Sequence, residues 1–590
     1  MQDFQNPQQQ DPGAQTRLLI AFALTFVVII LMQPLIKKYG PQPAATPAEQ
    51  HQAAPSAAAG ASTPARPAAA AAVPAQQASA ESETVIENGL YRITFSNRGA
   101  QVKSWILKKY LDQPGGKPLD LVNQATTNLG YPLSLWTYNA ELRGKLNSAL
   151  YVASTSGTIA APASVTFQYS DGKLSVRKSF SFDDSYVIKC EVSVADSGAP
   201  VQAFPAWPAG FGDTRSFPAY AAQTIDYQSG DKIERIESKK VSGGNTLKGP
   251  FHWAGASDQY FAAIFLPEEP ENSALVTLHE QIEIPKNPDK PVANELQKVP
   301  VLGAAVGSVN GETHERIFVG PKAVDVLDAV HSSLTRSERA ALGTAGASGY
   351  LGPHLVGLVD FGRFFGFIAK PLFLWLKWTH DHWVANWGWS ILILTVIITV
   401  ATLPLRLSSM KSSMKMAKVQ PQIKAVQEKY RKYKFNDPRK QEMNKEMSEL
   451  YKREGVNPVG GCLPMLIQLP FLIAFYSMLG VAIELRHAPW LWIKDLSAPD
   501  TLYLLPLFIT VSMFVVQKMT PQAGMDPVQA KMMSVMMPVF LGYISLNLAS
   551  GLGLYWAASN ILQMAQQWVL NRTEFGKQMR ESQLKRAIKK

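Results

Sequence analysis

The sequence predicts a multidomain chain. A polytopic α-helical membrane domain of six spans is joined to a β-sandwich domain inserted between its first and second spans. Three observations lead there. Apolar segments near 18–36, 389–407, 463–483, 502–518, 532–548 and 551–570 are each long enough to cross a bilayer. The loop after the second of them, Arg406 to Gly461, carries fourteen Lys or Arg and must stay cytoplasmic. Between residues 84 and 342 the apolar pattern switches to the period of two that marks half-buried strands.

Taken in order, residues 1–17 form a short cytoplasmic N-terminus. The span 18–36 is followed by Gln33-Pro34-Leu35-Ile36-Lys37-Lys38 rather than a small-x-small cleavage site, so it reads as an uncleaved signal-anchor. Residues 37–83, rich in Ala, Pro, Gln and Ser, lack the apolar content for a core and read as a tether. In 84–342, Tyr91, Ile93 and Phe95 alternate with Arg92, Thr94 and Ser96. Val165, Phe167 and Tyr169 run into the turn Asp171-Gly172 and out through Leu174 and Val176, a hairpin. Further strands are expected at 187–194 and 274–278, and helices only at 323–331 and 337–342. Residues 361–380 alternate aromatic and basic side chains as an interfacial amphipathic helix does. Trp383, Trp387 and Trp389 then mark the membrane surface.

The core 389–570 contains the other five spans and a cytoplasmic hairpin, 408–456. Helical runs at 411–432 and 439–453 are broken by 433–438, where Asp437-Pro438 starts a turn. Met414, Val419, Ile423 and Val426 are expected to face Met443, Met447, Leu450 and Tyr451. Lys415, Lys418 and Lys424, with exposed Met443 and Met447, would make a docking surface for varied apolar segments and anionic lipids. A solvated hairpin that only obeys the orientation rule is the plainer alternative. The tail 571–590 is basic and the loop between the third and fourth spans is charge-balanced, which places both termini in the cytoplasm and the β-domain in a periplasm.

Composition excludes much. The net charge of +11 sits mostly in the C-terminal cytoplasmic parts, unlike a nucleic-acid footprint. Cys190 and Cys462 fall on opposite sides of the membrane, so no disulfide is expected. There is no CxxC, HExxH or Walker loop, and neither cofactor, metal nor catalytic residue is expected. His380-Asp381-His382 reads as surface. What stands out is polar content within the spans. Thr395, Thr399, Thr402, Gln468, Ser477, Tyr555 and Trp556, with Arg406 at the cytoplasmic mouth, are the candidate lining of a hydrophilic groove. The same residues could instead be hydrogen-bond partners between helices. Pro404, Pro464, Pro470, Pro506 and Pro538 would kink the helices and help open a cavity.

The stretch Asn457-Pro458-Val459-Gly460-Gly461-Cys462-Leu463-Pro464, continuing Met465-Leu466-Ile467-Gln468-Leu469-Pro470, resembles the NP-x-GGC-x-P-x-x-IQ-x-P signature of the YidC/Oxa/Alb family of membrane insertases. Glu484-Leu485-Arg486-His487-Ala488-Pro489, Lys494-Asp495-Leu496-Ser497, Gln517-Lys518-Met519 and Ser550-Gly551-Leu552 resemble it too. The similarity runs over about 361–570. It implies a five-span core common to the family and, from the domain order, a periplasmic β-supersandwich like the sugar mutarotases. It also implies a non-enzymatic insertase and chaperone, working alone or with the Sec translocon on nascent membrane proteins, with ribosomes met through the basic tail. The family usually places a positive residue in the groove of the second span; Thr399 stands there in this chain. Arg406, seven residues on and on nearly the same face of an unbroken helix, would carry the charge instead, or serve only as the cytoplasmic stop charge of the second span. Two other classes fit less well. A small-solute transporter would show internal repeats. A membrane-anchored periplasmic carbohydrate-active protein would need a catalytic motif around His252, His279 or His314. The β-domain is expected to be largely dispensable for insertion.

Overall fold

The computed structural model describes residues 74–214, 223–285, 296–332, 355–362, 365–430, 433, 437–456, 463–519 and 527–572. The first span 18–36, most of the tether, the helix expected at 337–342, the motif residues 457–462 and the tail from 573 lie outside the described residues.

From Glu83 to Pro321 the chain is β-rich and folds into three sheets. A ten-stranded sheet runs from Lys232–Glu237 through Phe261–Pro267, Glu312–Pro321, Val187–Asp196 and Leu174–Phe182 to Val152–Ala153. Two five-stranded sheets are built around Tyr91–Ser96 with Gln101–Leu111, and around Ser273–Pro285 with Leu296–Ser308. Alternation dictates the faces. Tyr91, Ile93 and Phe95 are buried and Arg92 is exposed. Ala163–Ser170 pairs antiparallel with Leu174–Phe182 across the Asp171-Gly172 turn, where Asp171 accepts from the Lys173 and Leu174 amides.

Within that alternation Lys178 occupies a core position and is fully buried. Its ammonium donates to the carbonyls of Gly99, Ala100 and Leu133 at 2.9, 2.8 and 2.7 Å. All three residues hold left-handed backbone, with φ of 68, 47 and 62°, and their carbonyls converge on the charge. Burial lowers the Lys178 pKa to about 7.

A helix that the sequence reading missed, α1 (Ala140–Ser148), interrupts the strands. Asn139 caps it by accepting from the Glu141 and Leu142 amides. With nine residues and Gly144 inside it has little apolar periodicity to detect. Helix α2 (Val324–Ser332) lies one residue from its expected start.

The interfacial helix, α3, spans Gly366–His382 rather than starting at 361. It buries Ala369, Leu372, Phe373 and Leu376 and leaves Phe367, Leu374, Trp375 and Trp378 exposed. Next come α4 (Trp387–Ala401), α5 (Leu403–Lys429), α6 (Arg439–Arg453), α7 (Leu463–Val481), α8 (Leu504–Met519), α9 (Pro527–Ser545) and α10 (Ser550–Arg572). Five of them, α4 and α7 to α10, lie where spans were expected, with ends shifted by up to six residues. Among the described residues no helix is both long and apolar enough to cross a membrane by hydropathy. The most apolar, α4, has only 15 residues. The first hairpin helix does not begin at 411. It follows α4 directly, after a break at Thr402, because Pro404 has no N–H for the Val400 carbonyl. Thr402 N–H closes the last turn of α4 on the Ile398 carbonyl at 2.9 Å.

Candidate functional site

In the helical bundle α10 packs on α8 and α4, α9 packs on α8, and α7 packs chiefly on α3. Thr395 is fully buried in α4 and donates to the Ile391 carbonyl at 2.7 Å; Thr399 is buried one turn on. Thr402 donates to the Ile398 carbonyl at 2.8 Å. Thr510, Ser512 and Ser545 also bond to carbonyls three or four residues back in their own helices. These hydroxyls are therefore satisfied inside their own helix, which lowers the cost of holding them in an apolar surrounding. Between helices, Asn560 of α10 donates to the Ser512 hydroxyl of α8 at 2.9 Å, both buried. The Gln517 Oε1 atom is buried without a partner among the described residues.

Tyr555 and Trp556 are buried on α10, and the Tyr555 ring stacks on Phe475 of α7 at 4.0 Å. Ser477 lies apart from these. It lines a cleft against the β-domain, on the far side of Tyr476 from Phe475. Arg406 belongs to α5 and Gln468 to α7; their side chains are outside the described residues. The shared-face argument for Thr399 and Arg406 needs an unbroken helix, and the break at Thr402 falls between them.

The helical hairpin of α5 and α6 has its own small core of Met416, Val419, Ile423, Leu450 and Val456. Met416 and Val456 were not foreseen. Met447 and Tyr451 pack against that core, and Met443 is half-buried, so neither methionine is the exposed contact expected. Lys415, Lys418 and Lys424 are exposed. Lys429 and Glu446 bridge the two helices at 3.1 Å. His380 bonds to Asp381 and stacks on Trp387 at 3.9 Å; no group of three metal-ligating side chains occurs among the described residues.

Sequence reasoning missed the attachment of the β-domain to the bundle. Arg486, in the loop after α7, makes a two-pronged ion pair with Asp213 of the β-domain, at 2.8 and 3.1 Å. Both side chains are 2 % exposed. Arg486 also donates to the Leu111 carbonyl at 2.7 Å and lies over the Phe261 ring. Gln259 donates to the Gly480 carbonyl at 2.7 Å, and Lys377 of α3 pairs with Asp325 of α2. Glu484 is half-buried beside this seam, and desolvation raises its pKa to about 7. The only available signal was an arginine within the family-like segment Glu484 to Pro489, with nothing to say what it meets.

A bundle of short, hydroxyl-bearing helices, seamed to a β-rich domain at one end and carrying a basic hairpin at the other, defines a membrane-embedded protein-handling machine. Residues 83–375 match the family model described as YidC periplasmic domain, and 378–578 the one described as 60Kd inner membrane protein. The membrane protein insertase YidC of Geobacter sulfurreducens is 36 % identical over 499 residues, 82 % of this chain and 85 % of the relative. That of Syntrophus aciditrophicus is 31 % identical over 583 residues, 94 % and 99 % of the two chains. A solved active YidC insertase with its first transmembrane domain resolved is 20 % identical, covers 85 % of this chain and 95 % of its own, and has a TM-score of 0.34. The chain belongs to the YidC family of membrane protein insertases, proteins of the inner membrane with a periplasmic domain.

Proposed function

We propose that the chain inserts nascent membrane proteins, and helps them fold, through a hydrophilic groove open to cytoplasm and lipid, alone or beside the Sec translocon. The observation that carries the groove is helix length. With 16 residues, α8 is roughly 24 Å long at 1.5 Å per residue, against a hydrocarbon core of about 30 Å, and α4 is broken at Thr402 before helix resumes in α5. The bilayer must thin around them or admit water at their ends, and either shortens the low-dielectric path a polar client segment crosses. Thr395, Thr399, Thr402, Gln468 and Tyr555 keep that path polar, and Trp556 borders it. Arg406 receives acidic client ends at the cytoplasmic mouth. The client's apolar segment leaves into lipid between α7 and α9, whose main packing partners are α3 and α8 respectively. Ser477 stands at the other end of this route.

The topology that fits is six crossings with both termini cytoplasmic. The loop after α7 touches the β-domain, which supports a periplasmic position for that loop. Trp389, at the start of α4, packs on Trp490 of the same loop, so α5 and α6 leave from the opposite, cytoplasmic end. The hairpin captures clients and meets anionic lipid through Lys415, Lys418 and Lys424, and Met443 and Met447 lend apolar contact once its packing loosens. The basic tail meets the ribosome. No nucleotide drives the cycle; burial of the client's apolar segment in lipid does.

Purified chain in liposomes, without nucleotide, should protect the translocated tail of a small two-span client from added protease. Equal protection in empty liposomes contradicts the reading. Arg406→Glu should block clients with acidic tails and spare neutral ones. Thr399→Arg should restore them.

A further inference from the structure

A cleft of about 620 Å³ separates the β-domain from the ends of α7, α9 and α10. Its membrane side is formed by Tyr476, Ser477 and Gly480 of α7, Asn547 after α9, and Leu552 of α10. Its other wall is formed by Arg235, Lys239, Asp258, Gln259 and Lys322 of the β-domain.

The cleft is held open by fixed contacts. The buried Arg486–Asp213 pair and the Gln259–Gly480 bond fasten the domain to the bundle beside it. Its charges are braced from behind. Arg235 pairs with Asp360 at 3.0 Å and Asp226 at 3.5 Å and donates to the Gly357 carbonyl, while Lys322 donates to the Asp258 carbonyl at 2.7 Å. Cations, carboxylates and amides therefore line one space together with the apolar edges of Leu479 and Leu548.

A second cleft, of about 690 Å³, gives the contrast. It lies between α4, α8 and the Trp490–Trp492 turn, and Trp389, Leu392, Phe508 and Val511 leave it almost wholly apolar. That surface suits acyl chains. The polar cleft does not, because an acyl chain there would strip water from charged groups without replacing their hydrogen bonds. A hydrated polypeptide offers both peptide groups and side chains of either sign.

We propose that the polar cleft receives the translocated hydrophilic segment of a client as it emerges between α7 and α9. This rests on the insertase route given above and adds an exit station to it. A short tail clears the bundle unaided. A long charged tail threads the cleft, and the β-domain acts as its receiving wall. Gly480 lines the cleft, and a Cβ built there meets nothing within 4 Å, so the position has room for a larger side chain.

The test uses the full chain in proteoliposomes with a client stalled during insertion. A photo-crosslinker is placed at Lys239 or Asn547, and at Lys173 on the remote turn between the strands Ala163–Ser170 and Leu174–Phe182. Crosslinks from Lys239 and Asn547 to the client's tail, and none from Lys173, are expected. Gly480→Trp should slow insertion of long charged tails by roughly tenfold, the effect of one lost favourable contact at the barrier, and slow short-tailed clients less. Normal insertion with no tail crosslink at the cleft, or with crosslinks only to phospholipid, overturns the exit station and leaves the insertase reading standing. No insertion of any client by the unmodified chain overturns both.

Discussion

The two ends of the helical bundle are built in opposite ways. At the periplasmic end, apolar side chains of the β-domain, of α3 and of the bundle form one continuous core, from Ile86 and Trp105 through Leu372 and Phe475 to Tyr555. A buried ion pair is set into that seam. At the other end the hairpin has a separate core of five side chains; its first helix follows α4 across the break at Thr402 and packs on α7. A unit with its own small core opens at lower free energy than one built into a large shared core. The difference assigns labour. On the proposed function, the end with the small separate core meets the clients and the end with the shared core releases them.

The largest expected effect breaks the fixed end. Arg486→Ala leaves the Asp213 carboxylate buried without its cation, and removing one partner of such a pair costs about 3–5 kcal/mol. Thermal unfolding in detergent should show it, with new protease cuts between the β-domain and α3. Arg486→Lys keeps the charge but loses the fork and should fall between. Deleting 84–320 removes Asp213 and the burial of Arg486 together, so the freed arginine is solvated rather than stranded and insertion of short-tailed clients should survive.

A smaller effect should appear at the free end. Ile423→Ala or Leu450→Ala removes about a fifth of a five-residue core and costs about 2–5 kcal/mol. Loss of helical circular dichroism should be confined to the hairpin, with the main melting transition unmoved. A shift of the main transition would show that the two ends are coupled.

The seam should also respond to pH. Burial raises the Glu484 carboxyl to about 7, with Lys377 opposing and Asp325 and Asp381 adding to the rise. A carboxyl whose folded pKa lies above its unfolded one binds more protons when folded, so stability falls as pH rises from about 4.5 to about 7. Glu484→Gln should abolish that slope, which melting curves across pH 5–8 will read. The smallest effect is expected within the bundle, where Asn560→Ala removes one interhelical bond from Ser512 at about 0.6–1.7 kcal/mol.

The β-hairpin at Asp171-Gly172 was legible because a turn signal sat between two strictly alternating runs, and local sequence decides both. The position of the hairpin helices was legible for a similar reason, since Val419, Ile423 and Leu450 keep helical spacing. Helix α1 was not, because one asparagine cap outweighs a nine-residue pattern that has no apolar face. The Thr402 break was half-legible: Pro404 announced a kink but not that Thr402 would end α4. For the groove, composition showed which hydroxyls are present but not that Thr395, Thr402 and Ser545 turn back on their own helices. The seam was invisible. Asp213 and Arg486 are 273 residues apart, and no local pattern marks a pair formed only when two domains meet.

Hydrogen exchange on the full chain in lipid nanodiscs, with and without a ribosome-bound client, addresses the division of labour directly. Amides of α5 and α6 should exchange well before those of the β-domain strands and the loop around Arg486, and only the hairpin's should slow when the client binds. Exchange of the hairpin and the Arg486 loop as one cooperative unit, changing together with client, would contradict the account.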